Sequence, residues 1–177
     1  MSDVLKMVPA AEGVRKVGRG EGEQFDVAGA HLTWKVKAED SAFAFSINEM
    51  ILGPDEGVPA HSHISAESFY VLEGSVEFFR VQDGKEDWVP CSAGDLMILP
   101  PNSLHGFYNR TASDCKVLGI STGVHQTFFD AVAKADRASS FANKPINEAM
   151  QQIAGIALQN HMYFAPIDIS HRQDTDE

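Results

Sequence analysis

The stretch HSHISAESFY, residues 61–70, sets two histidines one residue apart and a glutamate four positions after the second. Side chains of a strand alternate between its faces, so in an extended chain His61 and His63 point the same way. Glu67 joins them if the chain enters the next strand without a change of parity. Two imidazoles and a carboxylate on one wall form a metal-binding set that leaves positions open for water, dioxygen or a chelating substrate. Pro59 stiffens the approach to the first histidine. PPNSLHGFYN, residues 100–109, offers a fourth donor. There His105 starts a strand after a rigid Pro100-Pro101 turn, and Asn102 is one of the few non-glycine residues that tolerate a left-handed backbone. Three imidazoles and one carboxylate suit one divalent transition metal per chain, Fe, Mn, Ni, Co or Zn; ligand type alone does not choose among these.

The surrounding pattern predicts a β scaffold. HLTWKVKA and FAFSINEMIL alternate, the second with Phe43, Phe45, Ile47 and Ile51 on one face, read as core. ESFYVLEG and SVEFFRV read as a hairpin joined at Glu73-Gly74, and Asp83-Gly84 marks another turn. Short strands with regularly spaced turns point to an antiparallel sandwich or barrel. After Thr122 the period changes. Residues 125–137 fit a helix with Phe128, Phe129 and Val132 on one side. Residues 144–160 fit a second, with Pro145 in its first turn and a stripe of Ile146, Met150, Ile153 and Ala157. Both helices are amphipathic and are expected to pack on the outside of the β domain.

The chain has 177 residues, 44% of them hydrophobic and 22% charged, the balance of one globular domain. A formal net charge of −11 disfavours nucleic acid and anionic membrane surfaces as partners. No run approaches the ~18 apolar residues of a membrane span, and the N-terminus has no signal-peptide core. The expected location is cytoplasmic. Cys91 and Cys115 match no zinc or redox spacing and read as reduced thiols. His31, His125, His161 and His171 have no partner spacing and read as surface or interface histidines.

GVPAHSHISAESFYVLEG (57–74) resembles the first motif of the cupin family, and GDLMILPPNSLHGFYN (94–109) resembles the second, with Asn102 in place of a glycine. The resemblance implies an all-β fold, the double-stranded β-helix or jelly-roll barrel, with the C-terminal helix pair outside. It implies metal ligation by His61, His63, Glu67 and His105. The chain then divides into an N-terminal arm (1–28), a cupin β-barrel (29–122), a helical extension (123–168) and a polar tail (169–177). Residues 29–167 are also similar to single-domain bacterial cupins of the quercetin 2,3-dioxygenase-like kind. In that family the metal binds flavonol and dioxygen, and the ligand glutamate doubles as the base; here that residue is Glu67.

Phe69 and Phe107 follow Glu67 and His105 by two positions and share their parity, so they are candidates to line a substrate pocket. Neither motif holds an Arg or Lys for a phosphate; Arg80 and Arg110 fall at strand ends. The expected function is a metal-dependent dioxygenase acting on an apolar hydroxylated small molecule. The alternatives are an isomerase or lyase using the same site as a Lewis acid, or a non-catalytic small-molecule-binding cupin. A homodimer is expected, with the N-terminal arm adding to a neighbour's sheet edge.

Overall fold

A computed structural model describes residues 13–27, 30–166 and 168–170. Eleven strands and two α-helices occur among the described residues. The strands are β1 (Gln24–Val27), β2 (Ala30–Val36), β3 (Ser46–Leu52), β4 (Gly57–His63), β5 (Glu67–Glu73), β6 (Ser75–Gln82), β7 (Lys85–Ser92), β8 (Leu96–Leu99), β9 (His105–Tyr108), β10 (Cys115–Ser121) and β11 (Met162–Phe164). The helices are α1 (Gln126–Ala138) and α2 (Ile146–Gln159). The strands form a six-stranded sheet of order β1-β2-β3-β10-β5-β8 and a five-stranded sheet of order β11-β4-β9-β6-β7. This two-sheet arrangement is consistent with a jelly roll. Leu52, Val71, Val76, Phe78, Phe107 and Val117 fill the space between the sheets.

The turn at Gly74 differs from expectation. β5 pairs with β10 and β8, whereas β6 pairs with β9 and β7. Gly74, at φ 76°, carries the chain from one sheet to the other and closes no hairpin. A side chain there would also meet the Asp114 carbonyl and Cys115 at about 3.0 Å. The true hairpin is β6–β7, in unbroken register from Ser75↔Ser92 to Gln82↔Lys85. Its two-residue turn has Asp83 at φ 53° and Gly84 at φ 75°, the doubly left-handed geometry that matches strand twist.

The core face of β3 is also the reverse of the expected one. Ser46, Asn48, Met50 and Leu52 are buried, while Phe43 is 64% exposed and Phe45 and Ile51 face out. Both faces of this run are apolar enough to mislead a period-2 reading. The inward polar pair is accommodated locally: the Ser46 hydroxyl lies 3.1 Å from that of Ser121.

Helix α1 buries Phe128, Phe129 and Val132 as expected. Helix α2 buries Ala149, Ile153 and Ala157, but Ile146 is 82% exposed, because Pro145 caps the helix and leaves its first residue beyond the packed face. After α2 the chain returns as β11, which pairs with β4, setting Met162 against His63 and Phe164 against His61. Strand β1, inside the expected arm, pairs with β2 of its own chain. Residues 1–12 of that arm and residues 171–177 of the polar tail, His171 among them, lie outside the described residues. Cys91 and Cys115 are free and buried. Among the described residues no helix is long and apolar enough to cross a membrane.

Candidate metal centre

Strands of both sheets supply the donors. His61 and His63 lie on β4 and His105 on β9 of the smaller sheet; Glu67 opens β5 of the larger one. The β4–β9 register slips between Val58 and His61, and this irregularity sets His61 directly opposite His105, with ring centroids 4.3 Å apart. Asn102 holds the left-handed conformation expected of it, at φ 64°. From there its N–H donates to the His63 carbonyl at 2.7 Å, so the loop before His105 is tied to the strand bearing the other two histidines.

One device orients all three rings. Nδ1 of His61 is 2.8 Å from the Pro59 carbonyl, Nδ1 of His63 is 3.0 Å from that of Ser65, and Nδ1 of His105 is 2.9 Å from that of Ser103. A carbonyl only accepts, so each Nδ1 carries the proton and each Nε2 presents a lone pair. Backbone carbonyls of this kind commonly fix the tautomer of metal-ligating histidines.

The Nε2 atoms of His63 and His105 are buried and have no hydrogen-bond partner. His63 Nε2 lies 3.3 Å from Glu67 Oε2, and His105 Nε2 lies 4.0 Å from the same oxygen, neither aligned as a hydrogen bond. Unpartnered buried acceptors are costly; a cation among them would satisfy both at once. The donor atoms of His61, His63 and His105 lie within 4.8 Å of one another. The donor set thus fits a divalent transition metal.

His125 joins this cluster, against the surface role expected of it. It ends a short 3-10 turn between β10 and α1, is buried, and places Nε2 3.6 Å from Glu67 Oε1. Its ring centroid is 4.3 Å from that of His63 and its edge meets Phe129. Donor atoms of His63, Glu67 and His125 form a second group within 4.8 Å. Strand periodicity could not show this, because the 3-10 turn breaks the parity count after Ser121. The proximity of His125 to Glu67 follows from the pairing of Ser121, four residues before it, with Glu67. His31 and His161 are exposed, as expected.

Burial alone would raise the Glu67 carboxyl, but the imidazoles of His125, His63 and His105 outweigh it and hold the group down at about 2. Burial, then neighbouring His105, keeps His61 well below its ordinary value. Burial also lowers His105, and brings His125 down to about 4, in both cases against the pull of Glu67. A carboxylate held ionised beside His61, His105 and His125, all three disfavoured as cations, is the protonation pattern that metal binding requires.

A cavity of about 50 Å³ adjoins the donors; His61, Glu67, His125 and Asn48 are its polar lining. Phe69 and Phe107 line it, as their parity suggested, and Phe128 and Phe129 of α1 close its far side. Asn48 is buried and its Oδ1 has no hydrogen-bond partner. Its amide lies over Gly119, where an added Cβ would come within 3.0 Å of Oδ1 and 3.2 Å of Nδ2. Sequence reading missed Asn48 because it placed the wrong face of β3 inward. Neither nearby cation reaches the cavity: Arg80 pairs with Asp87 at 2.8 Å, and Arg110 stacks on Tyr108 and Trp88 while donating to the Ile169 carbonyl.

Residues 48–121 match the family model of the cupin domain. A 64-residue segment is 39% identical to acireductone dioxygenase of Saccharomyces cerevisiae, covering 34% of this chain and 35% of that protein. The chain thus spans about a third of the length of the curated relative it matches. A polyketide cyclase from Streptomyces resistomycificus is similar in structure, with a TM-score of 0.55 and 22% identity over 63% of this chain and 80% of that one. A predicted oxalate decarboxylase from Thermotoga maritima also gives a TM-score of 0.55, with 21% identity over 61% of this chain and 98% of that one. The structural likenesses show the fold; with the domain match, they support the cupin superfamily.

Proposed function

We propose that this chain is a metal-dependent cupin dioxygenase acting on an apolar small molecule that carries hydroxyl groups, aromatic or flavonol-like. The observation that carries this reading is a set of three backbone-oriented imidazoles and one carboxylate, of which His61 and Glu67 line an apolar cavity. His61, His63, Glu67 and His105 would hold the metal, which when bound supplies Lewis acidity toward a substrate oxygen and a position for dioxygen. Glu67 accepts the substrate hydroxyl proton; held down at about 2, it does so only from a hydroxyl made strongly acidic. Asn48 offers an acceptor to a second polar hydrogen of the substrate. The aromatic walls exclude water from the reacting atoms.

The size of the cavity favours a second reading. An engineered cavity of about 150 Å³ holds benzene, and this one is about 50 Å³. A small chelating substrate, such as the acireductone of the matched relative's name, needs less rearrangement than a flavonol, which requires Phe128 and Phe129 to move. Oxygen uptake by metal-loaded protein with flavonols, catechols and an acireductone tests both readings. Uptake is expected with at least one class and its loss in His105→Ala. No uptake with any of them sinks the dioxygenase, and turnover persisting without oxygen would favour a Lewis-acid isomerase or lyase.

A homodimer fits the outer face of the larger sheet, where Tyr70 and Leu96 are cross-strand partners and Phe45, Ile51 and Ile98 are exposed. Light scattering should give twice the chain mass of 19.3 kDa.

A further inference from the structure

We propose that His125 is a fifth protein ligand of the metal, giving a centre of four imidazoles and one carboxylate. The inference rests on the metal-centre reading above and extends it to a residue outside both cupin-like motifs.

The spacing of the donors supports it. Two ligands about 2.1 Å from one cation sit about 3.0 Å apart at right angles and about 4.2 Å apart when opposed. The Nε2 of His125 is 3.6 Å from Glu67 Oε1, inside this range and beyond the reach of a hydrogen bond. Separations of 3.3 Å for His63 and 4.0 Å for His105 from Glu67 Oε2 fall in the same range. His125 faces Oε1 of Glu67 at a ligand-like separation, while His63 and His105 face Oε2.

The placement of the ring supports it too. The donor group of His61, His63 and His105 and the donor group of His63, Glu67 and His125 share His63, and Glu67 also lies 4.0 Å from His105 of the first group. The His125 ring is buried against Phe129 and lines the cavity beside His61 and Glu67. The Thr122 N–H donates to the Ala66 carbonyl, one residue before Glu67, and the His125 N–H donates to the Thr122 carbonyl at 2.9 Å. A short chain of backbone bonds thus anchors the turn that carries the ring beside the carboxylate.

Five protein donors leave a six-coordinate cation one open position. A substrate that binds through two atoms must then displace a protein ligand. His125 is the candidate, since it alone lies on a short turn and the other four sit on sheet strands.

The test uses full-length protein loaded with Co(II), comparing the wild type with His125→Ala and His125→Gln. The readouts are metal content, affinity by chelator competition, and the visible ligand-field spectrum. We expect affinity in His125→Ala to fall on the order of 10–100-fold and the bands to intensify as coordination number drops. Added imidazole should reverse both changes, which a structural role of the ring would not allow. If His125→Ala binds Co(II) with the wild-type affinity and spectrum, His125 is not a ligand. If His125→Ala does not fold, His125→Gln, closer in size, decides by the same two readouts. Wild-type protein that takes up well under one metal per chain overturns the metal centre itself, and this inference with it.

Discussion

His61 and His105 face each other at one rung of the β4–β9 ladder, with ring centroids 4.3 Å apart. Two imidazoles this close resist protonation together. Burial, then each other's proximity, holds His61 low, and burial lowers His105 and His125 as well. In the unfolded chain these rings protonate near pH 6.5. Metal-free protein should therefore be fully stable above that pH and lose stability as pH falls from about 6.5 toward 4, since the unfolded state takes up protons first. Each depressed histidine contributes a slope of up to about 1.4 kcal/mol per pH unit. Thermal melts of metal-free protein between pH 7.5 and 4.5 would show this decline; a flat profile would contradict the burial of these rings in neutral form.

Asn48 gives a prediction of opposite signs for stability and activity. Its buried Oδ1 has no partner, and leucine is close to it in volume. Removing an unpaired buried acceptor should gain about 1–2 kcal/mol, which for a chain of this size is a rise of about 3–6 °C in melting temperature. Asn48→Leu should melt higher and turn over less, with the loss appearing in KM if Asn48 holds substrate. A lower melting temperature would mean that an ordered water already satisfies the amide.

Asn102 links the two motifs through its N–H to the His63 carbonyl at 2.7 Å, from φ 64°. Glycine adopts this conformation freely, whereas a β-branched residue is strained in it by about 1–3 kcal/mol. Asn102→Gly should keep wild-type stability and metal affinity. Asn102→Val should lose both, the second because His63 is no longer tied to the His105 loop. Equal metal affinity in the two variants would show that this bond does not position the ligand.

Phe128 is buried where α1 closes the cavity. Phe128→Ala should cost about 3–5 kcal/mol and widen the cavity enough for a single ring. Benzene or phenol should then raise the melting temperature of the variant and leave that of the wild type unchanged. Stabilisation of both proteins alike would show that the cap already opens for a ring-sized guest.

The convergence of His61, His63, Glu67 and His105 was legible because a strand turns each side chain by half a revolution per residue, so His61 and His63 had to share a face. His125 was not, because the turn after Ser121 has no such period and its proximity to Glu67 depends on β10 pairing with β5. Asn48 was hidden by an amphipathic pattern with two plausible inner faces: Phe43, Phe45, Ile47 and Ile51 against Met50 and Leu52. The misread junction at Glu73-Gly74 has a similar origin. A left-handed glycine reverses the chain equally well within one sheet or between two, and only the partners of β6 decide. The helices were legible in type and extent, since Phe128, Phe129 and Val132 repeat with the α period. The return of Met162–Phe164 to the edge of β4 was not, because three residues are too short to carry a pattern.

That short return strand bears on how the protein is made. Met162 and Phe164 complete the pairing of the strand that carries His61 and His63, yet they emerge from the ribosome about a hundred residues after it. A nascent chain halted before Met162 therefore has His61, His63, Glu67 and His105 and an unprotected edge beside two of them. A truncation just ahead of β11 would spare the ligand motifs and still leave the strand under them open to pairing with other chains.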